Sequence, residues 1–326
     1  MNHSIRSIIS MAIAGLTITV MPHTAAMAEA SFPTKPLTLI LGFPPGGGAD
    51  HVGRVYANAL SKVLGQPVVV ENRPGAGSTI GAGIAARAAP DGYTMFLGNS
   101  SVMGSDNVLY KVDYTPDSFI PVAQLTSSPM VLIANASKGI KSVKDLVERA
   151  KKDPGGLNVA SSGNGVITHL AAVEFMSRAG VDLMHIPFKG GAPATQSVAA
   201  GDTDISFATA PSAKAIIETG KVIGLGVTSS NKSKLLEYAP IAETVPGYDI
   251  SNWWGIFVPK NTPDAIVQKL FDATKTVLAQ EQVRTSLEAG YEEVTPSASV
   301  AEFQKYARAE GEKGLRLAKT STKTVN

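Results

Sequence analysis

The sequence predicts an α/β fold in two doubly wound lobes. Apolar runs with strand character alternate with amphipathic helical patterns along the 326-residue chain, which is typical of sheets covered by helices. A strand, a glycine-rich loop and a helix also follow one another twice, once in each half of the chain. This length is sufficient for two domains. We therefore expect mostly parallel sheets whose ligand-binding loops lie at the carboxyl ends of the strands.

The N-terminal segment has the pattern of a secretory signal peptide. Arg6 precedes an apolar run over residues 8–20, which is shorter than a typical membrane span, and Ala-Met-Ala at 26–28 supplies a cleavage site. We predict a cleaved signal peptide over residues 1–28, with cleavage after residue 30 as the alternative. The chain has no cysteine, so neither disulfides nor a lipid-attachment cysteine is available. We therefore predict an exported, soluble protein without a lipid anchor.

Strands and helices are predicted in alternation after this segment. The predicted strands are 37–43, 66–71, 93–98, 129–134, 157–160, 184–187, 204–207, 222–228 and 254–258. The predicted helices are 51–64, 141–152, 168–179, 191–200, 212–220 and 263–279, and further helices are expected at the C-terminus. We expect residues 31–128 plus 251–326 to form lobe one and residues 129–250 to form lobe two.

The first glycine loop lies between the strand at 37–43 and the helix that follows. Its sequence, Pro44-Pro45-Gly46-Gly47-Gly48, allows a close backbone approach and leaves N–H groups of the helix start exposed, where they favour an anion. Asp50 is placed to cap the helix and to face Arg54 four residues later. The alternative is a plain tight turn, but simple turns rarely need two prolines and three glycines.

The second glycine loop, Ser161-Ser162-Gly163-Asn164-Gly165, repeats this arrangement and adds hydroxyl donors. Thr168 and His169 stand in the following turn. Three interpretations stay open: an anion site, an ordinary helix cap, or a serine nucleophile at Ser162 with His169 as its base. Catalysis is the weakest of them, because the chain has no Gly-x-Ser-x-Gly elbow here and indicates no acidic partner.

Other function classes find little support in the sequence. The glycines at 75–81 do not have the spacing of a dinucleotide-binding loop. A net charge of +2 with dispersed Lys and Arg is poor evidence for nucleic acid. After residue 30 the chain retains His51, His169 and His185 without a metal-binding spacing, so no metal and no cofactor are predicted.

Short motifs along the chain resemble the Bug-type, TctC-like substrate-binding proteins of tripartite tricarboxylate transporters. Each motif is weak alone, but their order and spacing together are specific. They are Phe43-Pro-Pro-Gly-Gly-Gly-Ala-Asp50, Glu71-Asn-Arg-Pro-Gly-Ala-Gly77, Ala89-Pro-Asp-Gly-Tyr-Thr94, Asp117-Ser-Phe-Ile-Pro-Val122, Ser161-Ser-Gly-Asn-Gly165 with Thr168-His169-Leu170, Phe188-Lys-Gly-Gly-Ala-Pro193 and Pro246-Gly-Tyr248. The chain departs from the family pattern at Ala49 and at Phe188, where a hydroxyl residue and a tyrosine are usual.

This resemblance implies a Venus-flytrap protein, similar to type II periplasmic binding proteins, in the periplasm of a Gram-negative bacterium. It implies a binding protein without enzymatic activity that captures a small carboxylated metabolite and delivers it to a two-component membrane permease. We expect it to act as a monomer and not to bind nucleic acid. The residues implied near the ligand are Phe43, Pro45, Gly46, Gly47, Asp50, Asn99, Ser100, Ser162, Gly165, Thr168, His169, Lys189 and Gly190.

Two alternatives of another kind remain at this point. One is an exported serine hydrolase that uses Ser162 and His169, and the other is a ligand-binding module that serves a sensor. The identity of the carboxylate also stays open, because dicarboxylates, tricarboxylates, amino acids, aromatic acids and nicotinate-like compounds all fit the motifs.

Overall fold

The computed structural model describes residues 32–188 and 190–323. The predicted signal peptide, residues 1–28, and Lys189 lie outside the described residues. From Pro33 onward the described chain forms one compact unit. None of the helices in these two ranges combines the length and the apolar character needed to cross a bilayer.

Ten strands form the sheet framework of the described chain. In chain order they are β1 (Leu37–Leu41), β2 (Val68–Asn72), β3 (Thr94–Gly98), β4 (Phe119–Asn135), β5 (Asn158–Ser161), β6 (Met184–Pro187), β7 (Ile205–Thr209), β8 (Val222–Val227), β9 (Ser251–Pro259) and β10 (Glu293–Val294). The strand order is β2-β1-β3-β9-β4-β7-β5-β6, and β8 and β10 pair with β4.

Helices connect these strands and cover both faces of the sheet. They are α1 (Gly48–Leu64), α2 (Thr79–Ala86), α3 (Asp106–Leu109), α4 (Val143–Lys152), α5 (Ile167–Ala179), α6 (Gly191–Ala200), α7 (Ala210–Ile217), α8 (Asp264–Leu278), α9 (Glu281–Ala289) and α10 (Val300–Lys323). A π-helical turn, Ser101–Ser105, leads directly into α3. The α/β prediction is therefore confirmed.

The sheet is less parallel than the sequence predicts. β1 pairs in parallel with β2 and β3, and β5 pairs in parallel with β6 and β7. However, β4 and β9 run antiparallel to every strand they contact. The prediction for β4 began at residue 129, whereas the strand begins at Phe119. The prolines at 121 and 129 hide this strand in the sequence, because proline cannot donate to a ladder.

Strand β4 changes its partners half-way along. Residues 119–129 pair with β9, whereas Met130 to Asn135 pair with β7 and β8. In this second half, Leu132 lies in one buried cluster with Phe175 and Phe207, while Val131 lies in another cluster on the opposite face. Successive side chains of a strand point to opposite faces, so both faces are covered here. This burial explains why the sequence shows a continuous apolar run.

The first half of β4 contributes to a separate aromatic cluster. Phe119 packs there with Phe96 and Phe257, and Tyr114, Trp253 and Phe303 belong to the same cluster. The rings of Trp253 and Phe303 meet edge to face at 5.7 Å between centroids. Phe303 lies on α10, so the C-terminal helix packs on this part of the sheet. Together these clusters hold the carboxyl ends of the strands, and the loops that follow them, in place.

Candidate functional site

The loops after β1, β3, β5 and β7 line one cavity of about 610 Å³. The sequence-predicted residues that line it are Phe43, Pro45, Gly46, Gly47, Asn99, Ser100 and Gly165. Parallel pairing brings the loops together within each group, β1 with β3 and β5 with β7. The two groups run in opposite directions along the two halves of β4, and the carboxyl ends of both point to the middle of β4. The predicted residues Asp50, Ser162, Thr168, His169 and Gly190 do not line the cavity.

Helix α1 begins at the cavity wall without a side-chain cap. Gly47 is its N-cap residue and makes no side-chain hydrogen bond, and Gly48 and Ala49 also line the cavity. The first N–H groups of a helix have no acceptor within the helix, and the helix dipole adds partial positive charge there. The start of α1 is therefore a backbone site suited to an anion.

Asp50 lies behind this loop and holds it in shape. Its carboxylate accepts hydrogen bonds from the Gly46 N–H at 3.0 Å, from Arg54 Nε at 2.9 and 3.0 Å, and from Asn72 Nδ2 at 3.0 Å. Asn72 also donates to the Phe43 carbonyl at 3.0 Å. The hydrogen bond from Arg54, with those from Gly46 and Asn72, outweighs burial and lowers the pKa of Asp50 to about 2. Asp50 is thus an ionised anchor of the first loop.

The loop after β3 supplies a second helical start at the cavity. Asn99 and Ser100 line it, and the π-helical turn begins immediately afterwards. The Asn99 side-chain oxygen accepts from the Ser101 N–H at 3.1 Å. Ser100 is the N-cap residue and makes no side-chain capping bond. The Ser100 hydroxyl is therefore positioned at the wall without serving as a cap.

The second glycine loop presents backbone to the cavity and keeps its polar side chains behind. Gly165 and the first residues of α5 line the cavity, and α5 has no side-chain cap. Gly165 has a φ of +73°, and a Cβ there would lie 2.7 Å from Leu109 Cδ1. Both the left-handed backbone and the close approach require glycine. The exposed helix start of α5 faces the same cavity as that of α1.

The hydroxyl groups of this loop bond to one another. Thr168 Oγ1 accepts from the Ser162 N–H at 3.0 Å, and the two hydroxyl oxygens lie 2.8 Å apart. His169 Nδ1 instead accepts from the Gly165 N–H at 2.9 Å. Ser162 and His169 therefore have other partners, and this geometry gives no support to the serine-hydrolase alternative.

A pair of stacked histidines lies beneath the second loop. The rings of His169 and His185 are 3.8 Å apart and nearly parallel, and His185 Nε2 lies 2.6 Å from Ser161 Oγ. Burial and, to a lesser extent, the neighbouring His185 lower the pKa of His169 to about 4. Burial also lowers the pKa of His185. The pair is therefore neutral near neutral pH, as the acceptor role of His169 Nδ1 requires.

Gly190 also supports the second loop from behind. It is the N-cap of α6 with a φ of +119°, and its N–H donates to the Ser162 carbonyl at 3.1 Å. Next to the start of α6, helix α7 begins after Thr209, and Thr209 and Pro211 line the wall. Helix α7 likewise has no side-chain capping bond. Helices α1, α5 and α7 thus begin at this cavity, as does the short α3, whose N-cap residue Ser105 also lines the wall.

Among the described residues that line the cavity, the charged side chains are two acids, Asp106 and Glu292. No lysine, arginine or histidine is among those lining residues. Asp106 accepts from the Tyr114 hydroxyl at 2.6 Å, but burial outweighs its hydrogen bonds and raises its pKa to about 6. An anion in the cavity would therefore rely on backbone N–H and hydroxyl donors.

The sequence prediction missed part of the wall. Trp254 lies there with its ring edge to face against Phe43, at 5.5 Å between centroids, whereas Trp253 points the other way into the aromatic cluster. Successive side chains of β9 point to opposite faces of the sheet, so one tryptophan lies in the core and the next lies at the cavity. The sequence does not indicate which face of β9 is which, so it could not assign Trp254 to the wall. Leu109, Tyr110, Met130 and Leu170 add further apolar surface. The cavity thus combines an apolar body with polar backbone ends.

Residues 32–188 and 190–323 contain no cluster of side chains suited to bind a metal ion. No group of three or more His, Asp or Glu side chains is arranged there to hold a metal ion. The histidines at the second loop bond to protein atoms instead.

Solved structures of similar proteins share this architecture. A TctC solute-binding protein from Polaromonas, without ligand, is 30% identical, with a TM-score of 0.78 over 89% of this chain and 100% of the other. Rpa4515 of R. palustris with adipate is 30% identical, with a TM-score of 0.75 over 89% and 98%. MatC (Rpa3494) from Rhodopseudomonas palustris with bound malate is 31% identical, with a TM-score of 0.72 over 88% and 100%.

A family model also matches most of the chain. It is described as "TctC: Tripartite tricarboxylate transporter family receptor" and matches residues 52–320. The match begins within α1 and includes the second glycine loop and every cavity-lining residue that follows α1 in the sequence. The chain belongs to the TctC family of tripartite tricarboxylate transporter receptors, a family of solute-binding proteins rather than enzymes.

Proposed function

We propose that this protein captures a small organic carboxylate in the bacterial periplasm and delivers it to the two membrane components of a tripartite tricarboxylate transporter. One observation carries the proposal: uncapped helix starts, those of α1 and α5 above all, line one cavity that has no cationic side chain among its described lining residues. The adipate and malate bound by two relatives support a carboxylate as the ligand class. The pattern at residues 1–28 supports export.

The ligand's carboxylate binds at the start of α1 in this proposal. Hydrogen bonds to a charged group contribute roughly 1.5–3 kcal/mol each, so a few backbone N–H donors suffice for micromolar binding after ordering costs. Phe43, Pro45, Gly46, Gly47, Asn99, Ser100 and Gly165 contact the ligand. Asp50, Ser162, Thr168, His169 and Gly190 hold the loops from behind, and Lys189 stays a proposed contact on the resemblance alone.

The change of partners along β4 supports a division into two lobes. Residues 31–128 and 251–326 form lobe one, residues 129–250 form lobe two, and the protein works as a monomer. The ligand bridges the lobes and favours their closed arrangement through contacts that the open arrangement lacks.

The proposed function can be tested by a substitution whose own carboxylate occupies the anion site. Gly47→Asp places a carboxylate at the N-cap of α1, where aspartate is a preferred cap and the extended backbone, with a φ of −92°, accommodates it. This variant is expected to fold normally and to lose carboxylate binding, because its own side chain occupies the N–H groups. Gly47→Ala is the matched control, since the nearest atom to its Cβ is the Pro44 carbonyl at 4.0 Å.

The measurement is a thermal-shift panel followed by calorimetry. The panel contains malate, adipate, citrate, glutamate, benzoate and nicotinate. Wild type and Gly47→Ala should bind at least one compound, and Gly47→Asp should bind it at least 100-fold more weakly. Binding that survives Gly47→Asp, or a panel in which nothing binds wild type, contradicts the proposal.

A further inference from the structure

Glu292 is a buried acid in the wall of a cavity that is suited to anions. It follows α9 in the segment Gly290–Glu292, and only 5% of its surface is exposed. The residue before it, Tyr291, has a φ of +60° and its carbonyl accepts from Ser128 Oγ at 3.0 Å. The backbone is therefore anchored to β4 and directs Glu292 to the wall. Neither the glycine loops nor the family motifs explain an acid here.

The two carboxyl oxygens of Glu292 have different surroundings. Oε2 accepts from Thr126 Oγ1 at 2.8 Å. Oε1 faces the first turn of α1, because a Cβ built on Gly48 would lie 3.6 Å from it. The buried indole N–H of Trp254, a neighbour in the wall, interacts with the same carboxyl group. An anion at the start of α1 would thus meet a carboxyl oxygen of Glu292.

Two ionised carboxylates at this short range would be costly. The lining described here offers no lysine, arginine or histidine to compensate them. The titratable groups on the elements packed around Glu292 are engaged elsewhere. Asp50 pairs with Arg54, His51 contacts the Ser286 carbonyl, Lys214 lies over the Tyr291 ring, Glu293 accepts from Ser233 and Lys234, and Asp106 accepts from Tyr114. One proton shared between the two carboxyl groups removes the repulsion.

We propose that Glu292 binds in its protonated form and donates a hydrogen bond from Oε1 to the ligand's carboxylate at the start of α1, so that binding takes up a proton. Glu292 then acts as a specificity-determining residue that offers a hydrogen-bond donor to a carboxylate oxygen at this end of the cavity. The inference rests on the proposed function, because it assumes a carboxylate as the ligand.

The protonation state of free Glu292 agrees with this role. Burial raises its pKa to about 7, and the hydroxyl of Thr126 and the nearby indole of Trp254 only partly oppose the rise. The protonated form is therefore well populated near neutral pH before the anion arrives. A neighbouring anion raises the pKa of Glu292 further, which is the thermodynamic counterpart of proton uptake.

The sign of the pH dependence follows from linkage. Affinity is full below the pKa of the free protein and falls as pH rises above it, because Glu292 must first regain a proton. With a free pKa near 7, the Kd should rise about tenfold between pH 6 and pH 8. At pH 7.5, binding should take up about 0.5–1 proton per site. His169, with a pKa of about 4, does not titrate in this range.

The experiment measures proton uptake by calorimetry on the full exported chain, using the tightest binder of the six-compound panel. Titrations in two buffers of different ionisation enthalpy give the number of protons taken up by wild type, and need no variant. Glu292→Gln keeps a neutral N–H donor and should bind with a Kd that changes less than twofold between pH 7 and pH 8, above the pKa of about 6 of the other wall acid, Asp106. The difference between wild type and Glu292→Gln cancels any titration of the compound itself.

Two further variants serve as controls. Glu293→Gln alters the neighbouring acid, which does not line the cavity and bonds to Ser233 and Lys234 instead. Asp106→Asn alters the other acid of the wall. Both should retain the pH dependence of wild type above pH 7.

The outcomes separate this inference from the proposed function. Carboxylate binding with a pH-independent Kd and no proton uptake overturns the role of Glu292 while the function stands. Proton release together with a more than tenfold loss of affinity in Glu292→Gln also overturns it, because Glu292 would then be an ionised acceptor for a ligand donor. If no panel compound binds wild type, both proposals fail.

Discussion

The two glycine loops place the same backbone arrangement at the cavity, but the side chains that support them differ in charge. Each exposes an uncapped helix start to the cavity. The first is anchored by the ionised Asp50, which joins the Gly46 N–H, Arg54 and Asn72 in one charged network. The second is anchored by neutral groups, the stacked pair His169 and His185 and the hydroxyls around them.

This difference teaches that the anion site and its support are separable. In the proposed function, the atoms offered to a ligand are backbone N–H groups in both loops, whereas the side chains that support the two loops differ. Removing an ionised side chain leaves its several hydrogen-bond partners unsatisfied at once. Removing one neutral side chain breaks only the one or two hydrogen bonds that it makes. The loops should therefore respond differently to substitution and to pH.

Removing the charged anchor should have the largest effect. Asp50→Ala leaves Arg54, Asn72 and the Gly46 N–H without their shared acceptor, and we expect a loss of about 2–4 kcal/mol in the free energy of unfolding. Carboxylate binding should fall more than tenfold, because the first loop loses its shape. Urea unfolding and calorimetry measure the two effects.

Asp145 is a natural control for Asp50. It also stands in the first turn of a helix, accepts from the N–H four residues earlier at Lys141, and pairs with Arg149 four residues later. It lies on α4 and does not line the cavity. Asp145→Ala should therefore leave the Kd unchanged. An equal loss of affinity in both variants would refute a specific role for Asp50.

Alanine at one positive-φ glycine of each loop, Gly46 and Gly165, should separate the loops by their surroundings. Gly46 has a φ of +87° and no atom lies within 4 Å of the position that a Cβ would take there, whereas a Cβ on Gly165 meets Leu109 at 2.7 Å. We expect Gly46→Ala to cost about 1 kcal/mol of stability from backbone strain, and Gly165→Ala about 2 kcal/mol. Urea unfolding provides the values.

Leu109→Ala distinguishes strain from collision at Gly165. In the Leu109→Ala background, the cost of Gly165→Ala should fall towards that of Gly46→Ala, since the side chain that the new methyl meets is gone. A cost that stays the same in both backgrounds would mean that backbone conformation alone requires glycine there.

Acid should weaken the second loop before the first. The pKa of His169 is lowered to about 4 from 6.5, so the unfolded chain takes up a proton first and the free energy of unfolding falls as pH drops from 6.5 to 4. We expect a loss of about 1.5 kcal/mol between pH 6.5 and pH 5 from this source. Asp50, with a pKa of about 2 against 3.8, loses its contribution only below about pH 3.8.

His169→Asn isolates this contribution in urea unfolding at pH 7.0, 5.5 and 4.5. The asparagine oxygen keeps an acceptor for the Gly165 N–H and does not titrate, so the dependence on pH should become flatter. His51→Asn is the control, because His51 lies on α1 and contacts the Ser286 carbonyl. A slope that is unchanged in His169→Asn, or flattened equally in His51→Asn, would argue against the histidine pair.

Residues that local patterns determine were predictable from the sequence. The helix at 191–200 and the strand at 184–187 match the structure, and Asp50 does pair with Arg54 as their spacing predicts. The first loop and the loop after β3 were placed at the cavity because strand ends converge. Such features depend on a few neighbouring residues and on topology.

Residues brought in by distant elements were not predictable. Glu292 reaches the wall through the left-handed Tyr291 and a bond to β4, and no pattern near it in the sequence signals this. Trp254 stands next to a core tryptophan, and only the register of β9 assigns it to the cavity. His169 was predicted beside the ligand, yet its distant partner His185 draws it beneath the loop. Long-range packing decides these cases.

The smallest effect is expected from substitution of Ser162, because a second hydrogen bond holds the second loop when its hydroxyl is removed. Its hydroxyl pairs with Thr168 Oγ1, but Thr168 keeps a second bond to the Ser162 backbone N–H. Ser162→Ala should therefore cost no more than about 1 kcal/mol of stability and change the Kd less than threefold. Thr168→Val removes both bonds and should cost more. A loss of affinity above tenfold in Ser162→Ala would instead put its hydroxyl in contact with the ligand, and the second loop would then bind through side chains as well as backbone.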